Sequence, residues 1–360
     1  MILLLGAGRQ GYVALETLLD LGVKDVIVVD NNIENAKRVE HLGLNVLEMD
    51  VNKISLKEFK DKFVLVINCL PAKFGFQILN MAVVNGINII DITYMAEDPF
   101  ALDDLARQKR ICAIVDAGFA PGISNFLVGY GFIKYGPGIQ TITIKVGGIP
   151  LNPVPPFNYR ITWSPEDLIE EYIRPSRILR DGKVVKVPAL SGVEKEYFSG
   201  IGELESFYTD GLRSLIKTIP DVPSIEERTL RYPGHAEIFR VLRDIELLNK
   251  SCPIYQTFQK WLFDKLSRGS EEDIAVLRVE FETINGPKGF ELIHQYNFKR
   301  KRMAMTELTG IPPAIIADML IKGKININGV YPLELLAQDE EFSNYFMSKL
   351  GQFGILIREF

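Results

Sequence analysis

The spacing of apolar and polar positions divides this chain into two regimes. Over the first 120 or so residues, short unbroken apolar runs alternate with stretches of helical period. ILLL at 2–5, VIVVD at 26–30, NVLEM at 45–49, FVLVIN at 63–68, INIID at 87–91 and ICAIV at 111–115 have the continuous apolar character of strands covered on both faces. Between them, residues 10–21 gather Val13, Leu15, Leu18 and Leu19 near one helical face, and 74–86 are apolar and end on Gly86. Residues 98–110 begin with Asp98 and Pro99, a cap followed by a proline at the first helical position. Strand and helix in alternation predict parallel βαβ units with right-handed crossovers. The expected fold class is therefore α/β, with a doubly wound, six-stranded Rossmann domain over 1–122.

After residue 125 the pattern changes. Helices are predicted near 126–135, 165–173, 206–217, 234–248 and 253–267. Strands with a period of two are predicted at 141–146, 159–163, 228–232, 275–284 and 290–299. Alternating strands with helices grouped between them predict an α+β open-sheet domain over 123–300, serving substrate binding and, through an exposed sheet face, pairing into a homodimer or higher homo-oligomer. A long helix over 303–323, with a break associated with its prolines, opens a section from 301 to 360 expected to pack back on the first domain.

Bulk properties narrow the classes of function. The chain has 360 residues, enough for two or three domains. A net charge of −5 argues against nucleic acid or an anionic membrane surface as partner. No apolar run reaches a membrane span, and MILLLGAG lacks the basic region and cleavage site of a signal peptide. Cys69, Cys112 and Cys252 lie too far apart for a disulfide framework or a zinc site, so no metal is expected and a cytoplasmic location is.

Chemistry enters at the first turn. Gly6-Ala7-Gly8-Arg9-Gln10-Gly11 fits G-x-G-x-x-G directly after a strand and at the start of a helix. Such a turn brings backbone close to a pyrophosphate and offers the phosphates the free N–H groups of a helix N-terminus. Asp30, followed by Asn31, closes the second strand, where a carboxylate accepts from both ribose hydroxyls and repels a 2′-phosphate. The cofactor expected is NAD. Ligands of open α/β sheets lie beyond the carboxyl ends of the strands, which here carry Asp50 and Val51, Asn68, Leu70 and Pro71, Asp91 and Thr93, and Asp116 and Gly118. Any one of these serves equally as a cap or a core residue. Cys69 reads best as a small buried apolar residue, and His41 and His294 receive no role.

Taken together, GxGxxG, DAGFAPGISN (116–125), VGGIP (146–150), TWSPEDLIEEYIRP (162–175), ESFYTDGLRSL (205–215), TLRYPGH (229–235) and TGIPPAIIADML (309–320) resemble the saccharopine dehydrogenase family. The likeness is strongest to members of the lysine 6-dehydrogenase kind, and it covers nearly the whole chain. It implies pyridine-nucleotide chemistry at a carbon bearing an amine, in an amino-acid substrate. Two positions depart from the saccharopine-forming members. Ala120 stands where a GLDPG loop has its aspartate, and Val146 stands where a cysteine precedes the Gly-Gly motif. Both favour oxidative deamination of a lysine side chain over saccharopine or carboxynorspermidine chemistry at a secondary amine; a nucleotide-binding protein without turnover is the third possibility. For the substrate, Phe119, Pro121 and Gly122 shape the site floor, Arg213 and Arg231 are carboxylate clamps, and Trp163 and Tyr172 wall the apolar stem. Arg213 and Arg231 serve equally as structural ion-pair partners of Glu205 or Asp210. Tyr94 and His235 are the candidate catalytic groups, His235 as general base by its ordinary pKa.

Overall fold

The computed structural model describes residues 1–54, 62–162, 165–219 and 221–360, leaving aside the side chains of 165–167. Two compact units result: Met1–Tyr130 with Thr306–Ile355, and Gly131–Met305 with Leu356–Phe360.

The first unit is built on β1 (Ile2–Leu5), β2 (Val26–Asp30), β3 (Asn45–Glu48), β4 (Leu65–Asn68), β5 (Asn88–Asp91) and β6 (Cys112–Val115). All pair in parallel, in the order β6-β5-β4-β1-β2-β3, so the winding direction reverses between β1 and β4. A seventh strand, Gly329–Pro332, joins parallel to β6 at the far edge. Its sequence, GVYP, is too short to be read as a strand from its apolar pattern. Leu3, Leu5, Val66, Ile89 and Ala113 form one continuous core with the helix Gly75–Asn85. Burial on both faces explains why these strands read as unbroken apolar runs.

The helix Ala304–Ile321 runs without a break through Pro312 and Pro313, contrary to the expected interruption. Ile311, Ala314, Ile315, Ile316, Ala317 and Met319 are each no more than 3% exposed. Burial on all sides offsets the backbone bonds that two prolines remove. This helix is long and apolar enough to cross a membrane by composition, but 78% of that window is buried inside the protein, as in a core helix.

The second unit is a mixed nine-stranded sheet. It contains β7 (Ile139–Pro150), β8 (Ser176–Arg180), β9 (Lys183–Val187), β10 (Glu194–Phe198), β11 (Gly202–Tyr208), β12 (Ser224–Arg231), β13 (Asp273–Thr283), β14 (Gly286–Gln295) and the terminal strand Ile357–Glu359. Among the described residues, only β12 and β7 of this sheet pair in parallel; the remaining ladders are antiparallel. Three departures from the sequence expectation follow. Residues 206–208 end β11, where a helix over 206–217 was expected, because they continue the antiparallel ladder with Arg228–Leu230 of β12 up to the Thr209-Asp210-Gly211 turn. Residues 159–162 belong to no strand, and Trp163 lies outside the described residues. The sheet face expected to lie open is partly roofed by the β10–β11 hairpin: Glu196 reaches Lys145 of β7 at 3.0 Å, and the Arg278 guanidinium of β13 lies 3.9 Å from the Phe198 ring centre.

Candidate functional site

The first turn of the first unit has the geometry of a phosphate cradle. The helix Arg9–Asp20 starts from Gly8 with no side-chain cap and no acidic residue in its first turn, an arrangement that suits an anion at its N-terminus. A Cβ at Gly8 would meet nothing within 4 Å, whereas one at Gly11 would lie 1.9 Å from the Gly6 carbonyl oxygen. The turn is thus open above Gly8 and closed beneath Gly11. Asp30 is 8% exposed, and its carboxylate accepts from Ala7 N and Asn32 N, each at 2.7 Å, and from Asn35 Nδ2 at 3.2 Å. Arg9 and Asn31 are exposed and Gln10 is half-buried. An uncapped helix start, an open turn and a fixed carboxylate suit an adenine dinucleotide.

The other strand ends separate into structural and exposed groups. Asp50 caps the short turn Val51–Lys53, accepting from Asn52 N at 2.9 Å, and Val51 is buried. Leu70 is half-buried and Pro71 exposed, leaving both available to a ligand; Tyr94 is half-buried. Asp91 is fully buried and ties three strand ends together. Its carboxylate accepts from Asn68 Nδ2, Thr93 N and Thr93 Oγ1, all at 2.6 Å, while its carbonyl accepts from Ala117 N at 3.0 Å. Burial pushes its pKa up to about 7; bonds from Thr93 and Asn68 pull the other way, and the Asp116 charge adds to the rise.

Because folded Asp91 keeps its proton to higher pH than the unfolded chain does, its contribution to stability is full below the ordinary value of 3.8 and is lost as the pH rises to about 7. Denaturant titrations should show the unfolding free energy of wild type minus that of Asp91→Asn falling across this window, by at most about 1.4 kcal/mol per pH unit, and flat above it. Parallel curves for the two proteins would rule Asp91 out as the titrating group.

The loop Asp116–Asn125 is buried except at Ala120, which is half-buried. Ile123 N donates to Gly118 O and Ser124 N to Phe119 O, each at 3.0 Å, drawing the loop into a closed turn that contains the cis Ala120–Pro121 peptide. Phe119, Pro121 and Gly122 are buried with it. Val146, the second departure, is 9% exposed.

In the second unit, β12 and the helices Pro165–Ile173 and His235–Asp244 bring Arg231, Tyr172 and His235 together. Arg231 is 4% exposed. Its Nη1 donates to Leu230 O at 2.9 Å, its Nε to Tyr172 Oη at 3.4 Å, and its guanidinium lies 4.4 Å from the Tyr159 ring centre. Its Nη2 approaches Glu171 Oε2 only to 3.8 Å, beyond hydrogen-bond reach. Glu171 is steadied by Thr229 Oγ1, which donates to its Oε1 at 2.7 Å. Arg231 remains charged, since Tyr172, Tyr159 and Glu171 outweigh the burial that works against the cation.

His235 does not sit as a general base would. It is 1% exposed, with Nε2 at 2.8 Å from Tyr172 Oη and Nδ1 at 3.1 Å from Phe157 O. Burial first, then the Arg231 charge, lowers its pKa to about 3. Arg213 is half-buried in a turn with φ of 45°. Of the ion-pair partners weighed for the two arginines, Asp210 holds Arg177 and Arg174, and Glu205 accepts from the backbone N–H groups of Gly234 and Ala236. Glu171 has no signal in the sequence pattern, and Glu205 is expected there only as an ion-pair partner for an arginine. Glu205 becomes visible only through the strand register that sets it opposite Arg231.

A doubly wound sheet with a glycine turn and a fixed carboxylate, joined in one chain to a mixed sheet carrying a buried arginine, defines a two-domain protein of dinucleotide-binding architecture. Residues 2–114 match the saccharopine dehydrogenase NADP binding domain and residues 118–355 the saccharopine dehydrogenase C-terminal domain. The chain belongs to the saccharopine dehydrogenase family. It is 27% identical over 296 residues to a saccharopine dehydrogenase [NADP(+), L-glutamate-forming] of Pyricularia oryzae, covering 76% of this chain and 65% of that protein. It is 26% identical over 308 residues to the mitochondrial alpha-aminoadipic semialdehyde synthase of Bos taurus, covering 77% of this chain but 32% of that protein. The chain therefore spans two thirds or less of the length of these relatives. In fold it matches the apo saccharopine dehydrogenase (L-Glu forming) of Saccharomyces cerevisiae, with a TM-score of 0.80 at 18% identity, over 100% of this chain and 99% of that one.

Proposed function

We propose that the protein is an NAD-dependent oxidoreductase of lysine metabolism that oxidises the side-chain amine of L-lysine, or of a similar diamino acid, to the semialdehyde. The observation that carries this reading is the buried, charged Arg231, stacked on Tyr159, with one terminal nitrogen beyond hydrogen-bond reach of Glu171. Such a guanidinium suits a substrate carboxylate, which it grips by two parallel bonds. A bound nicotinamide supplies the hydride acceptor. The residues of the second unit do the rest: Arg231 holds the carboxylate end, and Tyr159 and Tyr172 wall the apolar stem. Ala120 and Val146 place no polar side chain where saccharopine chemistry calls for one.

Purified protein given NAD⁺ and L-lysine should produce NADH, followed by its absorbance. A second reading draws support from the relatives named for saccharopine: turnover with saccharopine and none with lysine would replace the first reading with it. NADH formation with neither would leave a nucleotide-binding protein without turnover.

For the cofactor, the support is Asp30, although the relatives are named for NADP. A 2′-phosphate beside that carboxylate meets a like charge within a few ångströms. Asp30→Asn should keep one acceptor for the turn and narrow the preference for NAD⁺ over NADP⁺ by about tenfold or more, read as dissociation constants from nucleotide fluorescence. Tighter binding of NADP⁺ by the unaltered protein would sink the assignment.

A further inference from the structure

The hydrogen bonds around His235 run in one direction. The Phe157 carbonyl only accepts, so the bond at 3.1 Å requires the proton on Nδ1. Burial and Arg231 keep the ring neutral, and a neutral imidazole has one N–H. Nε2 is therefore bare, and the Tyr172 hydroxyl donates to it at 2.8 Å. With its one proton used, the Tyr172 oxygen turns its lone pairs to Arg231 Nε at 3.4 Å. The order is Arg231 to Tyr172 to His235 to the Phe157 carbonyl. Reversing the Tyr172–His235 link requires a second proton on a ring that is 1% exposed, and the two end links have one direction only.

The ring itself is held from outside this chain of bonds. Glu205 Oε2 accepts from Gly234 N at 2.9 Å and Oε1 from Ala236 N at 2.6 Å, gripping the backbone on both sides of His235. Phe239 stacks on the imidazole, with ring centres 4.5 Å apart and planes 29° from parallel.

We propose that His235 is a positioning residue which, held by Glu205 and acting through Tyr172, sets the plane of the Arg231 guanidinium so that its Nη2 edge meets the substrate carboxylate. This rests on the reading of Arg231 as the carboxylate partner. Planar, two-bond recognition makes the orientation of that fork matter as much as its charge. With Nε committed to Tyr172 and Nη1 to Leu230, the guanidinium has one edge left to offer. The same geometry removes His235 from proton abstraction, since one ring nitrogen carries its proton and the other is capped.

The test has two parts. The chain holds only three histidines, so ¹⁵N NMR of histidine-labelled protein resolves them, and loss of one set in His235→Gln identifies it. The His235 ring should carry its proton on Nδ1 and should not titrate between about pH 5 and 8; a proton on Nε2, or titration in that range, overturns the proposal. In kinetics, Tyr172→Phe and His235→Gln should each raise KM for the amine substrate about tenfold, with kcat falling by less than about threefold and its pH profile unmoved. A fall in kcat of about a hundredfold at unchanged KM would make these groups participants in the chemistry and overturn it. If the wild type oxidises no amine, the proposed reaction falls separately, and positioning is decided by calorimetric titration with L-norleucine, which has the amino-acid head and no side-chain amine. Binding about tenfold weaker in Tyr172→Phe supports the proposal; equal binding by both proteins, or none by the wild type, overturns it.

Discussion

Arg231→Leu should raise KM for the amine substrate by about a hundredfold or more, leaving the dissociation constant for NADH within about twofold. Truncating one member of a buried charged pair costs on the order of 2–5 kcal/mol, which is about 30- to 4,000-fold. Here the lost group is 4% exposed and has the Tyr159 ring 4.4 Å beneath it, so water does not readily take its place. Arg231→Lys should recover part of the loss, because it restores the charge but not the planar fork. Leucine also strands the Leu230 carbonyl and Tyr172 oxygen, so thermal midpoints of both variants belong beside the kinetics. A KM within about threefold of wild type for a folded Arg231→Leu protein would remove Arg231 from substrate binding.

Gly122→Ala should be the most damaging single-methyl change in the nucleotide unit. Gly122 holds φ at 147°, and a Cβ there would stand 1.9 Å from the Gly118 carbonyl oxygen and 2.2 Å from its carbon. Both neighbours are backbone, in a loop whose residues from Asp116 to Asn125 are buried apart from Ala120, so neither gives way cheaply. A strained φ combined with a buried clash places the cost in the range of about 4 kcal/mol or more, visible as insoluble protein or a fall in thermal midpoint of several degrees. Gly8→Ala is the matched comparison. Its Cβ meets nothing within 4 Å, so stability should hold while nucleotide affinity falls, the methyl standing where the phosphates approach. Equal midpoints for wild type and Gly122→Ala would show that the loop relaxes as this packing does not allow.

The nucleotide unit was legible because its physics is local. A strand buried on both faces must be apolar throughout, and a turn that meets phosphate must be rich in glycine; both leave their mark within ten residues. The second unit hid more. The strands β8 to β11 are exposed on one side and carry charges such as Lys183, Glu194 and Glu203, so their alternation is weak. The segment around Tyr208 falls inside an expected helix over 206–217, yet its residues up to Tyr208 pair as strand with β12. His235 drew notice as a titratable group, but its chemistry is decided by Phe157 and Tyr172, 78 and 63 residues away. Glu205 is the plainest case. Its two bonds to Gly234 N and Ala236 N depend on a register between strands that no local pattern announces.

The strand Gly329–Pro332 has a bearing on how the protein is made. The residues of the first unit emerge from the ribosome in two instalments, with the whole of Gly131–Met305 between them. Until the second arrives, β6 is a bare edge of buried-type sequence, Cys112–Val115, with unpaired backbone groups in a solvent-facing position. The nucleotide-binding half thus begins first and is completed last, and during that interval the nascent chain carries a sticky margin that a chaperone, or a neighbouring nascent chain, is able to meet. A fragment ending after Tyr130 would keep that margin permanently.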